Sequence, residues 1–310
     1  MSTSTTAKDI RLGHEDGASP EGGGAMTITD LRLGHDDTAK PTEEDSRFWS
    51  VTTIINTLDK PALLWWSAEQ AAEAACDVAS SLSTRIEEEG REAVVKWLRD
   101  ARFRPKKGQR TASDLGSAVH DACEEYAFTG VRPEVDDEVR PFLEQFDRWA
   151  QKVQPEYLAA EAAVYHRKYG YAGTLDAIAR VGGQTVLIDY KSTRKVTGSD
   201  GKPSGPYPEA ALQLAAYRHA ELLATWRARR YERLRRRYYL LSATEADLGV
   251  PVPEVDGGCV LHLTPAHASL HPVRCDEEVF ESFLYAIEAA RWQIELSKHV
   301  IGSPLPELSV

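Results

Sequence analysis

Tyr171-Ala-Gly-Thr-Leu-Asp176-Ala-Ile-Ala-Arg-Val181, Gly182-Gly183, Gln184-Thr-Val-Leu-Ile-Asp189-Tyr190-Lys191-Ser-Thr193 is the stretch on which the fold turns. Two runs rich in β-branched and aliphatic residues flank a Gly-Gly pair, the signature of a β-hairpin with a two-residue turn. That turn pairs Val181 with Gln184, and counting back along the ladder sets Asp176 opposite Asp189. Side chains so placed have Cβ atoms about 5 Å apart, and like charges there repel. A strand pair that keeps both carboxylates needs a compensating charge, and a hard divalent cation is the natural one. Side chains alternate along a strand, so Asp189 and Lys191 share a face and Tyr190 points away. Two carboxylates and an ammonium around a cation are the inventory of a site that cleaves phosphodiesters.

D-(x)n-D-x-K across a hairpin resembles the PD-(D/E)XK nuclease superfamily. Gly116-Ser-Ala-Val-His120 looks like the G-x-x-x-H motif of its RecB-like branch, Gly173-Thr-Leu-Asp176 like the G-x-x-D motif, and Gln213-Leu-Ala-Ala-Tyr217 like the Q-x-x-x-Y helix. The order of the four motifs also agrees, over roughly residues 113–220. RecB and AddB nuclease domains, CRISPR-associated RecB-like exonucleases and phage exonucleases share the pattern. The resemblance implies a restriction-endonuclease-like core, a mixed α/β fold with a mixed β-sheet flanked by helices, here carrying a helical N-terminal extension.

The same resemblance implies roles. Asp176, Asp189, His120 and the backbone carbonyl of Tyr190 would ligate Mg²⁺ or Mn²⁺. Lys191 would stand beside the attacking water, completing a catalytic set of Asp176, Asp189, Lys191 and Gln213. Gln213 and Tyr217 would touch DNA or orient the metal water, and Glu161 would add an outer contact. Some relatives hold an iron–sulfur cluster with one upstream and three clustered downstream cysteines. Cys76, Cys123, Cys259 and Cys275 lack that spacing, so no cluster is expected.

The formal charge of −11 looks wrong for a protein that meets DNA until it is divided. Residues 1–46 carry a net −6, and the remaining 264 residues only −5. The bases cluster: Arg102, Arg104, Lys106, Lys107 and Arg110 form one group, and the seven arginines from Arg227 to Arg237 another. Clustered bases leave a footprint for phosphates even on an acidic chain. Lys106, Lys107, Arg235 and Arg236 are therefore expected DNA contacts, beside Tyr217, which the resemblance implies.

Residues 1–46 have the Gly-, Ser- and acid-rich composition of a disordered tail, with Asp9-Ile-Arg-Leu-Gly-His14 returning as Asp30-Leu-Arg-Leu-Gly-His35. Each histidine is lone in a polar tail and is read as no site. The codons of Glu21-Gly-Gly-Gly-Ala can spell a ribosome-binding sequence just ahead of Met26, which would make that residue an internal start. The expected domains are the tail (1–46), a helical extension (47–112) and the nuclease core (113–310). In the extension, Trp65 and Trp66 read as core residues of an Ala/Leu-rich helix. Ser113 or Asp114 is the expected cap of the helix carrying His120. After Pro208 a helix places Gln213 and Tyr217 one turn apart on a shared face.

No apolar run approaches the ~20 residues of a membrane span, and the N-terminus lacks a signal-peptide core. A reduced cytoplasm is the expected compartment. No G-x-x-x-x-G-K-[ST] loop occurs, so strand separation would fall to a separate helicase or recombinase. The leading reading is a metal-dependent DNA exonuclease acting on single strands or duplex ends in recombination, repair or phage DNA processing. A nucleic-acid-binding protein that kept the nuclease fold, and a structure-specific endonuclease, are the alternatives. Strand polarity and DNA-versus-RNA preference stay open.

Overall fold

The computed structural model describes residues 46–103, 110–198, 201–202, 204–223, 229–232, 237–241 and 249–303. In chain order the elements are β1 (Ser46–Ser50), α1 (Val51–Ile55), α2 (Pro61–Asp77), α3 (Leu82–Glu89), α4 (Arg91–Arg99), α5 (Ala112–Thr129) and α6 (Arg140–Val153). There follow β2 (Glu156–His166), β3 (Tyr171–Val181), β4 (Gln184–Ser192), α7 (Glu209–Arg218), β5 (Leu222–Leu223) and β6 (Arg229–Glu232). The last are β7 (Arg237–Leu241), β8 (Val250–Pro251), β9 (Gly257–Leu263), β10 (Ala268–Val273) and α8 (Glu277–Ile294). The described residues divide into two compact units, Leu58–Ala118 and the chain on either side of it.

The larger unit is built on one mixed sheet of ten strands, with the path β10-β9-β4-β3-β1-β7-β6 and with β2, β5 and β8 branching from β3. β1 runs parallel to β3 and β4 parallel to β9, while the other pairings are antiparallel. β9 is buried throughout, as the near-continuous apolar run of a strand covered on both faces should be. Neighbouring strand residues point to opposite faces, which sorts the helices. The Tyr190 ring meets Phe146 of α6 with centroids 5.7 Å apart, whereas Lys191 meets Gln213 of α7. α6 and α7 therefore cover opposite faces of β4.

The mixed α/β fold with a sheet between helices is the one expected, and its differences from expectation have local causes. The segment after Phe48, read as helix, begins with strand β1, and Phe48 and Val51–Ile55 belong to the unit of the sheet. Five residues are too few to show an alternating pattern against a polar tail. β10 holds Pro272, which lacks an N–H; it lies at the sheet edge, where proline is tolerated. The cap of α5 is Thr111, not Ser113 or Asp114. Its Oγ1 accepts from the Asp114 amide at 3.1 Å, the N-cap bond, and donates to the Asp114 carboxylate at 2.7 Å.

In the smaller unit, Val94 of α4 is buried and the Arg85 guanidinium lies 4.3 Å from the Trp97 ring centroid. Trp65 and Trp66, expected in a core, are exposed, and none of the described side chains of α2 is fully buried. Among the described residues no helix is long and apolar enough to cross a membrane.

Candidate active site

β3 and β4 are joined by Gly182 and Gly183 at φ of 60° and 88°, the two positive values that a type I′ turn demands. The pairing runs as counted from the sequence, from Val181–Gln184 to Ala177–Ile188. One step later the ladder ends. Asp176 does not stand in a plain cross-strand pair with Asp189; its Oδ2 accepts the Tyr190 amide hydrogen at 2.6 Å. β4 leaves β3 here to run beside β9, while the same edge of β3 turns to β1 at Tyr171–Ala172. The carboxylates thus occupy a fork in the sheet, where backbone groups lose their ladder partners and side chains take over.

Four elements converge on the fork. From α5, His120 places Nε2 at 2.6 Å from the Tyr190 carbonyl oxygen and Nδ1 at 3.7 Å from Asp176 Oδ1. A carbonyl only accepts, so the ring carries its proton on Nε2. From β4, Lys191 Nζ donates to Asp189 Oδ1 at 2.7 Å and to Gln213 Oε1 at 3.3 Å. From α7, Gln213 Nε2 donates to the Tyr217 hydroxyl at 3.1 Å. The residues that the hairpin count and the family resemblance singled out thus fall into two bonded groups, His120–Asp176–Tyr190 and Asp189–Lys191–Gln213–Tyr217, which meet at neighbouring residues of β4. Glu161 of β2 lies in the register between the Ala160–Ala177 and Ala162–Leu175 pairs, the position that faces Asp176. Its φ of 44° is one that a non-glycine residue adopts at a cost on the order of 1 kcal/mol, and such strain gathers at functional sites.

Burial divides the labour. The Asp189 side chain is 2% exposed and that of Lys191 38%, so the ammonium and not this carboxylate faces outward. Burial raises the Asp189 pKa, Lys191 offsets part of the rise, and Asp176 adds to it. Lys191 is pulled both ways: burial acts to lower its pKa, but the Asp189 and Asp176 charges prevail and leave it raised. It is therefore held as an ammonium. Beneath the fork Cys123 is fully buried, its thiol pKa pushed up by burial and then by Asp176.

As they stand, the acidic and imidazole side chains are engaged with protein groups. Among the described residues no three His, Cys, Asp or Glu side chains are gathered as a metal cage. Two features nonetheless fit a cation. Asp189 Oδ2 is buried without a hydrogen-bond partner, which is costly for a carboxylate oxygen. The donor set fits as well: two carboxylates, a backbone carbonyl and an imidazole are ligands that Mg²⁺ and Mn²⁺ accept, and His120 already lies against the Tyr190 carbonyl.

The model of the PD-(D/E)XK nuclease superfamily matches residues 91–302, more than two thirds of the chain. The chain belongs to this superfamily. No curated protein matches it. Among solved structures, one described as "Crystal structure of SSO0001" aligns with a TM-score of 0.32 and 12% identity, over 83% of this chain and 80% of that one. For this nuclease-superfamily member, the expected DNA contacts Lys106, Lys107, Arg235 and Arg236 lie outside the described residues. Tyr217 is described, and it is buried at 3% exposure. What the sequence reading missed is the task of Gly173, treated there only as a motif letter. A Cβ on Gly173 would stand 2.6 Å from Tyr217 Cε1. The available signal was a glycine inside a strand, which marks a close approach.

Proposed function

We propose that this chain is a metal-dependent DNA nuclease of the RecB-like and phage-exonuclease branch, working from DNA ends in recombination, repair or phage DNA processing. The observation that carries the reading is the convergence at one fork of Asp176, Asp189, Lys191, His120 and Gln213, drawn from β3, β4, α5 and α7. Intact acidic, basic and amide positions argue against a fold that has lost its chemistry.

Asp176, Asp189, the His120 imidazole and the Tyr190 carbonyl would hold Mg²⁺ or Mn²⁺, the imidazole giving up its hydrogen bond to that carbonyl. When bound, the ion polarises the scissile phosphate and lowers the pKa of a coordinated water. Lys191 supplies a fixed positive charge. Its raised pKa and outward reach suit it to donating hydrogen bonds to a phosphate oxygen and to the attacking hydroxide, and unsuit it to taking up a proton. Gln213 holds the ammonium from the other side, so Lys191 keeps an anchor when Asp189 turns to a cation.

Purified protein with Mn²⁺ on end-labelled linear duplex, single-stranded and covalently closed circular DNA tests the reading. Nucleotides released from linear substrates, with closed circles left intact, are expected. Cleavage of closed circles would move the reading to an endonuclease, and no cleavage of any substrate would end it.

A further inference from the structure

The Tyr217 hydroxyl meets Gln213 and its ring lies on Gly173 of β3, which places it in a chain of contacts ending at the Lys191 ammonium. We infer that Gly173 and Tyr217 are positioning residues for Lys191, acting through the side-chain amide of Gln213; the inference rests on the nuclease reading of this site. β3 grips α7 at two points separated by two residues. The Tyr171 hydroxyl donates to the Ala216 carbonyl at 2.8 Å, and Gly173 makes room for the next side chain, Tyr217. A Cβ at Gly173 would meet Cε1 at 2.6 Å, the hydroxyl oxygen at 3.1 Å and Cζ at 3.2 Å. The ring is buried at 3% exposure, so it cannot yield by swinging into solvent.

From the seated ring the order propagates by donor and acceptor chemistry. The Lys191 ammonium only donates, so the Gln213 amide must turn its oxygen toward it, as it does at 3.3 Å. The amide nitrogen then points to the Tyr217 hydroxyl, 3.1 Å away, which accepts. The ammonium selects the amide's orientation, and the phenol ties down its far end, so that Gln213 Oε1 stays aimed at Lys191. Lys191 is held between Gln213 Oε1 and Asp189 Oδ1. The G-x-x-D and Q-x-x-x-Y segments are thus parts of one device, a notch on a strand and a ring on a helix that together aim an amine on the neighbouring strand.

Tyr217→Phe keeps the ring and removes the acceptor. It should lower kcat about tenfold, the order expected for one hydrogen bond removed from an anchor, with KM for DNA and calorimetric Mn²⁺ affinity unchanged. In a Gln213→Ala background the same change should do nothing more to kcat, because the amide through which Tyr217 acts is gone. Gly173→Ala displaces the ring and should cost about 10²-fold, the order expected for a misplacement near 1 Å. If that variant fails to fold, the Phe variant still decides. A second readout needs neither metal nor turnover: labelling of Lys191 in metal-free protein by an amine-acylating reagent, read by peptide mass spectrometry. Labelling should rise several-fold in Tyr217→Phe and in Gln213→Ala, and no further in the double variant. Losses that multiply in the double variant, a raised KM with kcat intact, or unchanged labelling would each overturn the proposal. A wild-type protein that cleaves nothing would sink the nuclease reading, while the labelling arm would still judge the relay.

Discussion

Asp189 is a carboxylate at 2% exposure with one oxygen on Lys191 and the other without a partner. Its pKa is raised by burial, so the folded chain holds this proton more tightly than the unfolded one. The stability it contributes is present below the ordinary carboxylate value of about 4 and is lost as pH rises through the raised folded value. Asp189→Asn removes that loss. In EDTA the Asn variant should gain on the parent between pH 4.5 and pH 8, by about 1.4 kcal/mol for each pH unit by which the pKa is raised, while cleavage is abolished. Thermal melts at the two pH values check this, and a difference independent of pH would contradict the assignment. Lys191→Ala separates charge from ligation: the proposed ligands remain and the ammonium does not. Mn²⁺ titration should be nearly unchanged and kcat should fall by at least about 10²-fold. A loss of metal affinity would make the lysine a structural partner of Asp189 instead.

The β3–β4 hairpin was readable because its register is set locally. Gly182-Gly183 permits only a tight turn with positive φ, and from it each pairing follows by counting, as far as Ala177–Ile188. Gln213 and Tyr217 were readable for the same reason, since one helical turn fixes their common face. What escaped depends on distant partners: the Tyr190 amide on Asp176, the left-handed Glu161, and the notch at Gly173. Nor could local pattern show that Trp65 and Trp66 lie outside a core, or that a strand with an internal proline closes the sheet edge. The turn itself is testable. A Cβ on Gly182 meets nothing within 4 Å, so Gly182→Ala should act through backbone strain alone. Stability should fall by about 1–2 kcal/mol in urea titration, with most of it recovered in Gly182→Asn, which tolerates this conformation. Below the melting range kcat should not change; a reduced kcat at unaltered stability would tie the turn to the chemistry instead.

Across the whole molecule the acidic balance has to be reconciled with a polyanionic substrate, and the sheet order suggests how. The arginine run spans β6 and β7, so its described part is a strand pair and not a helix face. Along the sheet path, β6 stands three strand spacings from β3, beyond β1 and β7. Three spacings are roughly 14 Å, or about four steps of duplex at 3.4 Å per step. Phosphates at that distance from the scissile bond would meet the arginine strands, while the tail's net charge of −6 stays in a separate segment of the sequence. Replacing Arg229, Arg230 and Arg237 together by Gln should therefore weaken binding equally for unrelated sequences. The log–log dependence of affinity on salt should flatten by about 0.9 for each duplex phosphate that is no longer neutralised, up to about 2.7 for the three. Mn²⁺ affinity should not move, because no proposed ligand is touched. Substrate length gives the sharper check: a duplex reaching less than about four base pairs past the scissile bond should bind parent and variant alike. An effect that persists on such short duplexes, or an unchanged salt slope, would remove this hairpin from the DNA path.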